Sequence, residues 1–367
     1  MKYLFILGRN IELSIAELKS FFKKEGIGFR QIGLSGNGLL VETKERLHEG
    51  AVSRLGGTVS IGEVLAEGNL KEISGEINRK EIYNVRNNKL SYLFFDFSGK
   101  DFEGLSAFLK QKFKSEKLKA TEKKVSGRIK MQDGDSVPNS PSRHVDEQYF
   151  AFGNCFGRII EKSDYKKIEE RDMNKPVRRN ELSISPRLAK ILINLSEVRD
   201  NQTLLDPFCG IGVVLEEALF QNIKVIGIDK DPGAIESAKK NLEWFGFGKE
   251  KYKLISLDSS KAKVPPSGGI ATEPDLGELQ KGTPSEEEAK KTIRNFEGLM
   301  VKVLRNLKGS VGGRIVFTAP YILAGRKRIG CSPERISKET GLKILEGPIN
   351  EFRENQIVGR QIVVMGR

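Results

Sequence analysis

Thr203–Gly212 has the sequence TLLDPFCGIG, in which a short apolar strand is followed by a glycine-containing loop. Residues 213–221 are typical of a helix, so the loop joins the carboxyl end of a strand to a helix. Gly210 and Gly212 lack a Cβ, which lets the backbone come close to a ligand. The loop is not a P-loop, because no Gly-Lys-Ser/Thr follows it. Leu215 stands where a dinucleotide fingerprint has its third glycine.

Strands and helices alternate from about residue 180 to the end of the chain. This alternation predicts an α/β domain with a mostly parallel, doubly wound sheet. Asp206, Asp229 and Asp258 each end a predicted strand of that sheet. Because open α/β sheets bind ligands at the carboxyl ends of their strands, we expect these acids at one site. Asp229 suits the hydroxyls of a ribose and Asp258 the exocyclic amine of an adenine, which predicts a nucleoside ligand.

Composition narrows the class of protein. The chain has 367 residues, of which 38% are hydrophobic and 30% charged, as in a globular protein of two or three domains. Its net charge of +13 favours a polyanionic partner, with nucleic acid ahead of an anionic membrane. Two histidines and three well-separated cysteines argue against a metal centre or a Ser-His-Asp triad. Without a signal peptide or a long apolar run, we expect a cytoplasmic protein.

The chain divides into four predicted segments. Residues 1–99 are expected to form an α+β (ferredoxin-like) domain, residues 100–165 a basic region, residues 166–184 a linker, and residues 185–367 the α/β domain. Within the basic region, a run of cationic residues begins in a predicted helix. A solvated helix face is the alternative, but in an already basic protein we favour a phosphate-binding surface. The surface comprises Lys110, Lys112, Lys114, Lys117, Lys119, Lys123, Lys124 and Arg128.

The sequence resembles a known family over nearly its whole length. Asp206–Gly212 together with Asp229 is similar to the S-adenosylmethionine site of class I methyltransferases. The resemblance is closest to THUMP-containing tRNA guanosine-10 N2-methyltransferases and their relatives among amino-group DNA methylases. Tyr3–Arg9 is similar to the start of the family's N-terminal domain, and Ser185–Ala189 to the entry into its catalytic domain. By position, residues 100–165 correspond to the RNA-binding THUMP module.

This resemblance implies which residues bind the cofactor. The cofactor would be S-adenosylmethionine, held in a Rossmann-like domain. The family pattern assigns the following residues to it: Pro186, Asp206, Pro207, Phe208, Cys209, Gly210, Gly212, Asp229 and Asp258.

The resemblance also implies a catalytic motif. The family carries an Asp-Pro-Pro-Tyr-Gly-type motif after the fourth strand, whose carboxylate accepts the N–H bonds of an exocyclic amine and whose aromatic stacks on the base. The corresponding segment here is Thr272–Gly277, TEPDLG. Glu273, Pro274 and Gly277 match the acid, the first proline and the glycine. Asp275 replaces the second proline, and Leu276 replaces the aromatic, so Phe317 or Tyr321 is a candidate for the stacking ring.

The sequence leaves several functions open. The favoured function is methylation of the N2 amine of a guanosine in tRNA or another structured RNA. One alternative is a DNA amino-methyltransferase acting on N4 of cytosine or N6 of adenine. Another is a catalytically weakened protein that binds S-adenosylmethionine and RNA. The resemblance also admits a small activator subunit as a partner, and it implies neither a metal nor a membrane.

Overall fold

The computed structural model describes residues 1–97, 99, 101–124, 127–131, 136–139, 145–178, 184–277, 282–354 and 356–367. The chain separates into two compact units. The first comprises residues 1–11, 27–53 and 57–164, and the second comprises residues 12–26, 54–56 and 165–367. None of the described helices is long and apolar enough to cross a membrane.

The first unit contains ten strands among its described residues. They are β1 (Lys2–Leu7), β2 (Phe29–Ser35), β3 (Gly38–Thr43), β4 (Thr58–Glu67), β5 (Lys89–Phe97), β6 (Lys119–Glu122), β7 (Gly127–Lys130), β8 (Ser136–Asn139), β9 (Glu147–Phe152) and β10 (Cys155–Lys162). The early helices of the chain are α1 (Ile11–Glu25), α2 (Ala51–Arg54), α3 (Leu70–Ile77) and α4 (Phe102–Ser115). Eight of the strands form one sheet in the order β2-β3-β1-β4-β10-β9-β5-β6, and β7 pairs with β8.

This sheet corrects the predicted boundary at residue 99. Strands β9 and β10 lie between β4 and β5, so residues from both sides of position 99 share one sheet. Every residue of β9 is buried, and Tyr149 stacks on Phe156 of β10 with ring centroids 5.7 Å apart. These aromatic residues belong to the core of the first unit because the strands that carry them are internal to its sheet.

Helix α1 falls in the predicted N-terminal domain but packs in the second unit. Leu13 and Ala16 of α1 belong to the same apolar cluster as Leu192, which lies in the first helix of the α/β domain. Glu17 accepts a hydrogen bond from Asn194 Nδ2 at 2.8 Å, and Lys24 Nζ donates to Asn194 Oδ1 at 2.9 Å. The buried Glu17 and Lys24 of α1 therefore find partners within the second unit.

The second unit is an α/β fold. Its helices after α1 are α5 (Tyr165–Asn174), α6 (Pro186–Leu195), α7 (Val213–Leu219), α8 (Pro232–Trp244), α9 (Glu286–Leu307) and α10 (Pro333–Thr340). Its strands are β11 (Thr203–Asp206), β12 (Lys224–Asp229), β13 (Tyr252–Ser256), β14 (Gly269–Thr272), β15 (Ile315–Ala324), β16 (Lys327–Gly330), β17 (Lys343–Glu351) and β18 (Val358–Gly366).

Seven of these strands form a sheet in the order β13-β12-β11-β14-β15-β18-β17, with β16 paired to β15. Strands β11 to β15 are parallel, whereas β18 is antiparallel to both β15 and β17. Apolar residues of α1, α6 and α7 pack on one face of the sheet, and those of α9 and α10 on the other. The predicted mostly parallel, doubly wound sheet is confirmed.

The predicted linker contains a helix, α5, which a buried ionic network joins to α7. Lys175, just after α5, lies 3.2 Å from Glu216 and 2.8 Å from Asp172, and its side chain is only 1% exposed. Arg171 pairs with the buried Glu217. Burial raises the pKa of Glu216 to about 7 despite the nearby Lys175 ammonium. Residues 166–178 are therefore part of the second unit, and residues 179–183 lie outside the described residues.

Replacing Lys175 with alanine should lower the free energy of unfolding of the second unit by about 3–5 kcal/mol, because Glu216 is left buried without its cation. The loss should be larger at pH 8 than at pH 5.5. Burial raises the folded-state pKa of Glu216, so its destabilising charge develops as the pH rises. Urea unfolding followed by the fluorescence of Trp244, the single tryptophan, measures the loss.

The control is Lys166→Ala, which removes an exposed pair with Glu170 and should cost less than about 0.5 kcal/mol. Equal losses in the two variants would contradict the prediction.

Candidate active site

The strand order of the second unit reverses around β11, which lies between β12 and β14. The loops that follow β11 and β14 therefore leave the sheet on either side of the position at its carboxyl edge where open α/β folds bind ligands. Asp206–Gly212 leaves β11 at this position. The backbone N–H of Cys209 donates to the carbonyl of Ile228 at 2.9 Å, which joins the loop to β12. Gly210 and Gly212 adopt φ values of +52° and +96°, a region that favours glycine.

Asp206 is buried at the end of β11, with 1% of its surface exposed. Its Oδ1 accepts hydrogen bonds from the Thr272 hydroxyl at 2.6 Å and from the Phe208 N–H at 3.1 Å. Burial raises the pKa of Asp206 to about 7, and the charges of Asp229 and Glu273 act in the same direction. Asp206 is therefore a carboxyl group that a nearby cation could switch to its ionised form near neutral pH.

Asp229 ends β12, and its carboxylate accepts two backbone hydrogen bonds. Oδ2 accepts from the Gly210 N–H at 3.0 Å and Oδ1 from the Asp231 N–H at 2.9 Å. The structure thus brings Asp229 against the glycine loop. A Cβ built at Gly210 would meet no atom within 4 Å, so space is open beside this position.

The other residues assigned to the cofactor have different surroundings. Cys209 is buried, which raises the pKa of its thiol well above the usual value. Phe208 is partly buried against the core. Asp258 is exposed, and hydrogen bonds from Ser260 lower its pKa. Pro186 is buried as the first residue of α6. Phe208 and Cys209 thus shape the loop, whereas the Asp258 carboxylate is bonded to its own turn.

Glu273 follows β14 on the same edge of the sheet, and its side chain is 9% exposed. Arg360 of β18 holds its carboxylate at both oxygens. Nε lies 3.1 Å from Oε1 and 3.0 Å from Oε2, and Nη2 lies 2.6 Å from Oε1. Sequence reasoning missed Arg360, although a cation within the apolar run Val358–Met365 could have been recognised as a signal.

The rest of the predicted catalytic segment contains an Asx turn, closed by the Asp275 side chain. Pro274 is buried, whereas Asp275 is exposed and its Oδ1 accepts from the Gly277 N–H at 3.0 Å. Gly277 has a φ of +105°. Leu276 packs against the core of the second unit. Asp275 therefore stabilises the turn and points into solvent rather than replacing the missing proline.

The structure separates the two candidates for a stacking ring. Phe317 is fully buried in the core, so it is not available to a base. Tyr321 is half-buried on β15, where its ring lies 5.6 Å from that of Phe352, and the Arg328 guanidinium lies 5.6 Å from its centroid. Tyr321 is therefore the remaining candidate.

The basic surface of the first unit is mostly exposed. Lys114, Lys117, Lys119, Lys123, Lys124 and Arg128 all face solvent. Lys110 is also exposed, but it pairs with Glu122 at 2.9 Å. Lys112 is buried because it lies on the inner face of α4, and its ammonium pairs with Glu116 at 2.6 Å. Its inclusion among the phosphate-binding lysines is therefore wrong. Within the part of the chain that the structure describes, no cluster of histidine, cysteine and acidic residues could hold a metal ion.

Known methyltransferases resemble this chain in sequence. Residues 174–306 match the family described as UPF0020: RMKL-like, methyltransferase domain. A tRNA (guanine(10)-N2)-dimethyltransferase of Methanothermobacter thermautotrophicus is 32% identical over 142 residues, which cover 38% of this chain and 40% of the relative. The corresponding protein of Pyrococcus abyssi is 35% identical over 31% of this chain and 33% of the relative. The chain thus spans less than half the length of either archaeal relative.

Two further similarities extend over most of the chain. The tRNA (guanine(10)-N(2))-methyltransferase TRMT11 of Xenopus laevis is 25% identical over 89% of this chain and 75% of that protein. The crystal structure of TrmN from Thermus thermophilus aligns over all of both chains with a TM-score of 0.50 at 12% identity, which indicates a shared fold. The expected similarity to class I methyltransferases, and to tRNA guanine-N2 methyltransferases among them, is therefore confirmed.

Proposed function

We propose that this protein is an S-adenosylmethionine-dependent methyltransferase that modifies the exocyclic N2 amine of a guanosine in tRNA. The observation that carries this proposal is the meeting of the Asp206–Gly212 loop, Asp229 and Glu273 at one edge of the sheet. The names of the archaeal relatives and of TRMT11 support the substrate class. A tRNA substrate also favours a cytoplasmic location.

The residues at this edge of the sheet fit S-adenosylmethionine. The open space beside Gly210 leaves room for a ligand against the backbone of the loop. We assign Asp229 to the ribose hydroxyls, because it lies at the end of β12 and its position is fixed by two backbone N–H groups. Asp206 is suited to a cationic group of the ligand, since its buried carboxyl is poised near neutral pH. Pro186, Pro207, Phe208, Cys209, Gly212 and Asp258 complete the proposed binding set.

When bound, the cofactor supplies an electrophilic methyl group carried on a sulfonium. The protein must then orient an amine whose lone pair is delocalised into the base. We assign this role to Glu273, whose carboxylate accepts N–H bonds of the amine. Pro274, Asp275 and Gly277 shape the turn that follows it. Tyr321 is the proposed stacking ring for the base.

The basic surface of the first unit, defined as Lys110, Lys114, Lys117, Lys119, Lys123, Lys124 and Arg128, is proposed to bind RNA phosphates. The THUMP assignment and a small activator subunit remain predictions that go with this proposal. The replacement of the family's aromatic residue by Leu276, which packs against the core, favours one alternative, a protein that binds cofactor and RNA without turnover, because the motif has no stacking ring of its own.

Transfer of tritium from labelled S-adenosylmethionine to unmodified tRNA, with duplex DNA in parallel, tests the proposed function. We expect label in tRNA and methylguanosine on nucleoside analysis. Glu273→Gln should lower the transfer rate at least about 100-fold, because the amide can no longer act as an acceptor at both atoms. The exposed Glu287→Gln is the matched control. Label in DNA would change the substrate to DNA, and cofactor binding without label in either would favour the binding protein.

Asp206→Asn should stabilise the protein while weakening the cofactor site. The folded pKa of about 7 exceeds the ordinary 3.8, so ionisation of Asp206 costs stability as the pH rises through this interval. The variant should gain about 2–4 kcal/mol in free energy of unfolding at pH 8 and less at pH 5. Its affinity for S-adenosylmethionine, measured by calorimetry, should fall about tenfold or more. Asp101→Asn, at an exposed carboxylate that makes no side-chain cap hydrogen bond to α4, serves as the stability control.

Reversing Lys114, Lys119 and Lys123 to glutamate should weaken tRNA binding about uniformly across tRNA sequences. The slope of log affinity against log salt should decrease by about one for each phosphate that the protein no longer neutralises. Filter binding at several salt concentrations measures both quantities. Reversal of the exposed Lys290, Lys291 and Arg294, on α9, provides a variant with the same change in net charge elsewhere. An equal effect of the two reversals would show that net charge, rather than this surface, governs binding.

A further inference from the structure

The ion pair between Glu273 and Arg360 joins two residues 87 positions apart. Glu273 follows β14, and Arg360 lies on β18 opposite Pro320 of β15, which is the strand between them. The two side chains are 9% and 21% exposed. The guanidinium makes three hydrogen bonds of 2.6–3.1 Å to the two oxygens, so it fixes the plane of the carboxylate as well as its position.

Stability gives a poor account of this pair. Removing two charges from water costs free energy that their attraction often fails to recover, and apolar residues of similar volume frequently serve as well. The location of the pair is more informative. Glu273 and Asp229 both raise the pKa of the buried Asp206, so three carboxyl groups share the edge of the sheet at which the ligand is proposed to bind. The Arg360 guanidinium, on β18, contacts one of these carboxyl groups, that of Glu273 after β14.

Residue 273 and the residues after it differ from the family motif in ways that bear on how the carboxylate is held. A glutamate has one more rotatable bond than an aspartate, and the following residue pair is Pro274-Asp275 rather than two prolines. The Asp275 side chain accepts a hydrogen bond from Gly277, which follows it in the chain, and not from Glu273. A displacement of about 1 Å at a reacting group can cost about 100-fold in rate.

We propose that Arg360 is a positioning residue that holds the Glu273 carboxylate ready to accept an N–H of the target base. This inference rests on the proposed function and deepens it. A carboxylate offers about four lone-pair positions, and the guanidinium occupies those on one side. The remaining positions accept hydrogen bonds but cannot donate them. A site of this kind selects a base with an exocyclic amine over one without it.

The first experiment needs no turnover. Guanosine monophosphate and inosine monophosphate differ by the exocyclic amine, and their binding to the protein saturated with S-adenosylhomocysteine is compared by ligand-observed NMR. The unsubstituted protein should bind guanosine monophosphate about tenfold more tightly, as expected for a hydrogen bond to a charged acceptor. Arg360→Gln should reduce this preference to less than about threefold and leave inosine monophosphate binding unchanged.

The second experiment separates positioning from folding. In tRNA methylation, Arg360→Gln should lower kcat about 30–100-fold with KM for tRNA changed by less than about threefold, and Arg360→Lys should recover part of the loss. In a Glu273→Gln background, the same change at Arg360 should have less than about a threefold effect, because Arg360 acts through Glu273. Arg335→Gln breaks an Arg–Glu pair between α10 and α9 and controls for lost stability.

The outcomes distinguish this inference from the proposed function. Loss of the amine preference in Arg360→Gln supports the inference even if the unsubstituted protein methylates nothing, in which case the proposed function alone fails. Methylation by the unsubstituted protein with an unchanged kcat in Arg360→Gln overturns the inference and leaves the function intact. A faster Arg360→Gln enzyme, additive effects of the two substitutions, or equal binding of the two nucleotides to the unsubstituted protein would also overturn it.

Discussion

The reversal of strand order around β11 is the constraint on which the second unit depends. Because β12 lies on one side of β11 and β14 on the other, the loops that follow β11 and β14 leave the sheet on either side of the ligand position at its carboxyl edge. The glycine loop and three of the charged groups that the proposed chemistry uses lie at that edge. The glycine loop follows β11, Asp229 ends β12, and Glu273 follows β14. The antiparallel β18 then brings Arg360 to the same edge from beyond β15.

Placing carboxyl groups together at this edge opposes stability. Asp206 is buried, and the neighbouring charges of Asp229 and Glu273 make its ionisation harder still. The protein offsets part of this cost with hydrogen bonds from Thr272 and from backbone N–H groups, and with the Arg360 guanidinium. A cationic ligand would relieve the remainder.

A second set of buried charges has a different consequence. Glu216 and Glu217 lie on α7, directly after the glycine loop, and their cations come from Lys175, Arg171 and Lys190. Two of these cations belong to α5 and the residue after it, a segment whose charged composition indicates a solvated linker. The network instead fixes the segment against α7, the helix that follows the glycine loop. The packing of this segment therefore contributes to the rigidity of the proposed site.

The sequence by itself determined the local features of this protein. The succession of β11, glycine loop and α7, the cap of α8 at Asp231, and the acids at the strand ends follow from residues that are neighbours in the chain. Tertiary structure decided what depends on distant partners. In the folded protein, β9 and β10 lie between β4 and β5, and α1 packs in the second unit. Lys112 and Phe317 are buried, and Glu273 pairs with Arg360. Periodicity and spacing report only on residues that are close together in the chain. These outcomes depend on apolar surfaces and charges from residues that are far apart in the chain.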